Sequence, residues 1–144
     1  MLIKHITCFV DEESREAFSR SQDEWVQIQS VPGLMWQLGG WKNEREAHIW
    51  GIWTDEVLYE DFMKKNHDTI YDKAEQDKNY HSISISFKKI EAIENMDEFL
   101  MTIQDNDPFI YFIDGEQCMF KRTETLQEGE YKFVASWLVC GLYP

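Results

Sequence analysis

Histidines and a cluster of tryptophans carry most of the chemistry this chain can offer. An imidazole titrates near neutrality and can pass protons at physiological pH. His67 follows the apolar pair Phe62-Met63 and falls at the rim of that helical stripe, which makes it a candidate catalytic base. Adjacent residues of a regular helix point about 100° apart, so the spacing of His67 and Asp68 argues against an oriented dyad. His5 and His81 fall on the first and fourth strands derived below, neighbours or near-neighbours able to reach one cavity. His5 is the second candidate base and His81 a candidate ligand contact. Ser82, Ser84 and Ser86 form a polar row, and Ser84 can donate to a ligand if that row faces a barrel interior. Residues 33–53, "GLMWQLGGWKNEREAHIWGIW", hold Trp36, Trp41, Trp50 and Trp53, which either fill a core or line a pocket. The plainer reading of each of these residues is a core or rim position.

The elements that must position them follow from periodicity. "LIKHITCFV" reads as a strand. Asp11, Glu12 and Glu13 suit a helix N-terminus, and Phe18, Ser21, Trp25 and Ile28 recur at helical spacing, so one helix is expected over about 12–30. Pro32-Gly33 stops it. Residues 34–41 and 46–53 read as a hairpin joined by polar "KNERE". Thr54-Asp55-Glu56 opens a second helix with the stripe Tyr59, Phe62, Met63, Ile70 and Ala74, and with a break expected near Asn66-His67-Asp68. In "NYHSISISF", residues 79–87, apolar and polar positions alternate as in a strand. The order β-α-β-β-α-β over residues 2–87 is ferredoxin-like, an α+β class with both helices on one face of a four-stranded antiparallel sheet. Residues 88–144 read as an extension packed on that unit: a helix capped by Asn95 and carrying Phe99, Leu100 and Ile103, then a three-stranded meander through "PFIYFI", "EQCMFK" and "YKFVASWLVCG". Turns are expected at Asp114-Gly115 and Glu128-Gly129.

Alternation then divides the hairpin by face. Leu34, Trp36 and Leu38 fall opposite Met35 and Trp41, while Ala47, Ile49 and Trp53 fall opposite Trp50 and Ile52. Both faces are apolar. The helices cover one, and the other needs a partner sheet, the 88–144 segment or a ligand.

Composition narrows the classes. A net charge of −13 repels phosphate backbones and anionic membranes, so neither nucleic acid nor membrane is expected as a partner. Apolar runs fall far short of the ~20 residues of a membrane helix, and the first residues lack the basic start and cleavage site of a signal peptide. Cys8, Cys118 and Cys140, without CxxC, fit buried thiols in a cytoplasmic protein. The histidines show neither HxH nor HxxxH spacing, and GxGxxG, P-loop and GxSxG patterns are absent, so no metal and no cofactor is expected. Gly39-Gly40 marks a bulge or twist.

Specific residues carry a resemblance. Pro32-Gly33-Leu34, Gln37-Leu38-Gly39-Gly40-Trp41, Ala47-x-Ile49-x-Gly51-x-Trp53, Tyr59-x-x-Phe62-Met63 and His67-Asp68-x-Ile70 resemble the YdbC-like family of bacterial proteins. That family is similar to the antibiotic-biosynthesis-monooxygenase group of dimeric α+β barrels. The resemblance covers about residues 1–87. It implies a homodimer whose sheets meet by their helix-free faces. The wider group includes cofactor-free quinol oxygenases, haem-degrading oxygenases and proteins of no known reaction, and fold does not choose among them. It places Trp53 at the strand-end tryptophan that borders the group's substrate cavity, where an indole N–H orients an oxygen and the ring stacks on a planar ligand. Trp53 is therefore the leading ligand contact, taken here with the helix-free set, and Trp36 stands beside it. Where some oxygenases carry an Asn one pleat earlier, this chain has Ile49 and Gly51. His67 comes too early for an axial haem ligand, and the first strand offers Lys4, His5 and Thr7 without Asn. The expected function is a dimer that binds or senses a small, apolar or aromatic molecule. The alternative is a cofactor-independent monooxygenase acting on a quinol, with Trp53 orienting and His67 or His5 as base.

Overall fold

A computed structural model describes residues 1–74, 79–89, 109–113, 116–121 and 126–142. Strand β1 (Leu2–Phe9) leads through a 3-10 turn at Glu12–Ser14 into helix α1 (Arg15–Gln22). The stripe Phe18, Ser21, Trp25 and Ile28 is buried, but only its first half is α-helical, and Asp23–Ser30 continue as a 3-10 helix. Side chains compete here for the carbonyls of an α ladder: Ser21 Oγ donates to Phe18 O at 2.7 Å and Gln27 Nε2 to Glu24 O at 2.9 Å. Asp11 precedes the helical segment without capping it, and its carboxylate instead meets His81 Nε2. Gly33 turns the chain at φ +92°, and a Cβ there would lie 2.6 Å from Leu58 Cβ.

Strands β2 (Leu34–Asn43) and β3 (Glu46–Trp53) form the expected hairpin around Glu44-Arg45. Helix α2 (Glu56–Phe62) is capped by Asp55, whose carboxylate accepts from Leu58 N–H at 2.8 Å. A π-helical turn at Met63–His67 interrupts the helix where a break was expected, and α3 (Asp68–Ala74) follows. Strand β4 (Ser82–Lys89) completes the order β4-β1-β3-β2, antiparallel at every step, as the ferredoxin-like reading requires. No helix among the described residues is long and apolar enough to cross a membrane.

Four further strands, β5 (Phe109–Ile113), β6 (Glu116–Lys121), β7 (Glu130–Phe133) and β8 (Val139–Cys140), extend the sheet from its β2 edge. They depart from the expected meander in two ways. The last strand is split by a 3-10 turn at Ala135–Trp137, because Trp137 turns inward and packs against Phe18 and Trp41 at 5.8 and 5.6 Å. β7 also runs parallel to β6, its direction set by antiparallel pairing to β2 at Gly40 and Trp41. A Cβ at Gly40 would lie 2.2 Å from Lys132 O, so glycine is what admits β7 to this edge. The helix expected around Asn95 and the Asp114-Gly115 turn lie outside the described residues.

The faces of β1 and β3 follow alternation. Leu2, Lys4, Ile6, Cys8, Ala47, Ile49 and Trp53 face the helices, and Ile3, His5, His48, Trp50 and Ile52 face away. β2 does not follow it. A register shift between Leu34 and Trp36 puts Leu34 under the helices and Trp36 and Leu38 on the far face. Trp53 lies on the helix face, not with the helix-free set. The helix-free face is covered at its centre by the chain's own Phe120, Tyr131 and Phe133, which pack on Trp36, Leu38, Trp50 and Ile52.

Candidate functional site

The helices stand off the sheet and leave a cavity of about 410 Å³. One row of the sheet crosses its floor. Phe87 pairs with Lys4, Lys4 with Gly51, and Gly51 with Gln37. Gly51 has no side chain, so the floor stays open between Lys4 and Gln37. A Cβ there would make only ordinary contacts, 3.4 Å from Trp53 Nε1 and 3.7 Å from Gln37 Oε1. Trp53 forms one wall, stacked on Phe62 at 5.1 Å and edge-on to Tyr59 at 5.4 Å. Trp25, Tyr71 and Tyr80 line the cavity too, the two tyrosine hydroxyls sharing a short hydrogen bond. Ile83, Ile85 and Phe87 also line it yet are 40%, 47% and 52% exposed, so the mouth opens along β4.

The lining is mainly apolar, and besides Gln37 at the floor it holds two buried polar groups that the sequence reading passed over. Lys4 is 9% exposed, its Nζ 5.2 Å from the centre of the Tyr59 ring. No carboxylate lines the cavity among the described residues, and burial pulls the Lys4 amine down from 10.5 to about 8. Gln22 is 3% exposed, and its Nε2 has no hydrogen-bond partner among the described residues. A buried donor left unpaired costs about 1–3 kcal/mol, so an acceptor atom arriving in the cavity is favoured. Burial likewise raises the Tyr59 hydroxyl above its ordinary value.

His67 lines the same cavity, its ring stacked on Tyr71 at 5.7 Å and tilted against Trp25 at 5.5 Å. Contrary to the expectation from regular helical spacing, His67 Nδ1 lies 3.1 Å from Asp68 Oδ1. The π-helical turn ending at His67 alters the winding on which that expectation rested. With Nδ1–H donated to the Asp68 carboxylate, Nε2 is the acceptor nitrogen, the arrangement of a general base.

The other candidates lie elsewhere. His5 is on the helix-free face, stacked on Trp50 at 4.5 Å. It heads a chain the sequence reading missed. Glu46 Oε1 lies 2.8 Å from His48 Nε2, and His48 Nδ1 lies 2.8 Å from His5 Nε2. A carboxylate only accepts, so His48 Nε2–H donates to Glu46 and His48 Nδ1 accepts from His5 Nε2–H. Burial lowers both imidazoles, His5 to about 4 with His48 adding to the effect, so both are neutral at pH 7. Trp36 is buried under the tail strands. His81 is exposed and pairs with Asp11. Ser84 lies exposed on β4, opposite Thr7. The structure thus unites Trp53 with His67 at the cavity but leaves out His5, Trp36, His81 and Ser84. Of the thiols, Cys8 is fully buried and pushed up to about 12, whereas Cys140 is exposed, against the expectation of buried thiols. No group of three or more His, Cys, Asp or Glu able to hold a metal occurs among the described residues.

Two signals could have found the missed groups. Lys4 breaks the apolar alternation Leu2, Ile6, Cys8, and Gln22 lies four residues after Phe18 and three before Trp25, inside the buried stripe.

Comparison with known proteins matches this region. The family described as Domain of unknown function (DUF4937) matches residues 2–87. The uncharacterized protein YdbC of Bacillus subtilis (strain 168) is 35% identical over 80 residues, which cover 53% of this chain and 67% of YdbC. A crystal structure from Deinococcus radiodurans, provisionally designated an antibiotic biosynthesis monooxygenase, superposes with a TM-score of 0.56 at 18% identity. The match covers 67% of this chain and 99% of that one, and it shows a shared α+β fold.

Proposed function

This chain belongs to the DUF4937 family, and we propose that it binds a small, flat, largely apolar molecule in the cavity between α2 and the sheet. The observation that carries this reading is the buried, unpaired Gln22 Nε2 beside the buried Lys4, in an aromatic cavity that no carboxylate lines among the described residues. The complementary ligand is an aromatic ring bearing an acceptor oxygen. Trp53 and Phe62 supply the stacking surface. Titration with a dihydroxynaphthalene, followed by tryptophan fluorescence, tests it. Trp53 and Trp25 line the cavity, so saturable quenching is expected, and Gly51→Val, which fills the floor, abolishes it. Quenching that persists unchanged in Gly51→Val overturns the assignment.

One observation favours a second reading, cofactor-independent oxygenation of a quinol: the His67–Asp68 pair supplies a base at the same cavity. The fold shared with the Deinococcus radiodurans protein adds to it. Binding of the naphthalenediol without oxygen consumption in an oxygen electrode leaves binding alone. A homodimer belongs to the proposal as well. Because β6 and β7 already cover the centre of the helix-free face, light scattering decides between a dimer and a monomer whose own tail is the whole cover.

A further inference from the structure

We propose that Lys4 captures small aromatic aldehydes by reversible imine formation inside the cavity, an inference that rests on the binding reading above and names one class of its ligands. The geometry comes first. Lys4 reaches the cavity from the middle of β1, with open floor beside it at Gly51 and aromatic rings around it. Its ammonium lies over the Tyr59 ring and lacks a carboxylate partner among the described residues. An exposed lysine such as Lys65 is instead ion-paired, to Asp61 at 3.0 Å. A lysine buried in apolar surroundings is a nucleophile because desolvation disfavours its charged form. The titratable groups facing it in the cavity are Tyr59, His67, Tyr71 and Tyr80. With its amine held down to about 8, on the order of a hundredfold more of Lys4 than of a fully solvated lysine is neutral at pH 7.

The step balances without any co-reactant. The Lys4 nitrogen lone pair attacks the aldehyde carbon, forming a C–N bond while the carbonyl π pair moves to oxygen. A proton passes from nitrogen to that oxygen. The nitrogen lone pair then forms the C=N bond as the hydroxyl leaves, and the remaining N–H proton goes with it as water. Nothing is oxidised or reduced. Water leaving an apolar cavity favours the imine, and water returning reverses it. An aromatic aldehyde suits the site twice, by its ring against Trp53 and by an oxygen that the unpaired Gln22 Nε2 can hold until it leaves as water.

The test is reductive trapping of the intact protein with 2-naphthaldehyde and cyanoborohydride at pH 7, mapped by peptide fragmentation that separates Lys4 from the Met1 α-amine. Lys4 is expected to label at least about tenfold faster than Lys65, with a rate that rises through a midpoint near pH 8. Lys4→Arg removes the label at this position and leaves Lys65 unchanged. Gly51→Val keeps the lysine but fills the floor, so Lys4 labelling falls to the Lys65 rate. Labelling of Lys4 no faster than Lys65, or undiminished in Gly51→Val, overturns the proposal. The naphthalenediol titration keeps the two readings apart: quenching without selective Lys4 labelling defeats aldehyde capture alone, and loss of both defeats the cavity as a binding site.

Discussion

Trp50 and Trp53 lie three residues apart on one strand and face opposite ways. Trp50 is enclosed by His5, His48, Phe120 and Tyr131 on the helix-free face, where the tail strands fill the space and Glu46, His48 and His5 satisfy one another. Trp53 is as little exposed, yet it borders a cavity in which Gln22 Nε2 remains unpaired. Among the described residues, the buried side-chain polar atoms of one side are paired, and the other side keeps a cavity and an unpaired donor. Buried polar groups are normally satisfied, so an unsatisfied one beside empty space points to a ligand more than aromatic content does.

Breaking the filled side should have the largest effect. Trp50→Ala is expected to cost about 3–5 kcal/mol in urea unfolding, and Trp53→Ala less, because part of its surround is already void. Equal losses would mean that the cavity is not hollow in solution. Next comes Lys4→Met. The folded amine titrates near 8 and the unfolded one near 10.5, so the unfolded state binds more protons between those values and stability rises with pH across that window. The variant should therefore be stabilised by about 3 kcal/mol at pH 7, with the gain fading as pH climbs from 8 to 10.5. A gain that does not change with pH would indicate repacking and not a buried charge. A smaller effect belongs to His5. Its folded value, about 4, lies below the ordinary imidazole value, so stability is complete above about pH 6.5 and is lost as pH falls toward 4. His5→Phe should flatten that part of the acid limb. Smallest in stability is Gly51→Ala, expected to change it by under about 1 kcal/mol because its Cβ meets nothing closer than 3.4 Å, while still weakening naphthalenediol binding.

Much of the frame was legible because periodicity reports burial directly. Phe18, Ser21, Trp25 and Ile28 announced a helical face, and His81 to Phe87 announced a strand. The site was legible only in part. Residue types point to Trp53 and His67; alternation separates Trp53 from Trp50 but does not say which face the helices cover, and the bulge that parts Leu34 from Trp36 in β2 leaves no mark in residue types. The His67–Asp68 contact depends on a π-helical turn, and local winding of that kind is decided by tertiary packing. His48 was passed over because its meaning lies in Glu46 and His5, and the latter is distant in sequence.

The pairing of β7 and β8 with β2 has a kinetic consequence. Gly40 meets Phe133, and Trp36 meets Cys140, across about a hundred residues of chain. Contacts of such separation close late, after the entropy of a long loop has been lost. During synthesis β1 to β4 emerge well before Phe120, Tyr131 and Phe133, so Trp36, Leu38, Trp50 and Ile52 are presented to solvent as a nascent apolar surface until the last strands arrive. The stretch of greatest aggregation hazard is thus an interval in the life of the chain, and its length is set by how soon the C-terminal strands reach β2.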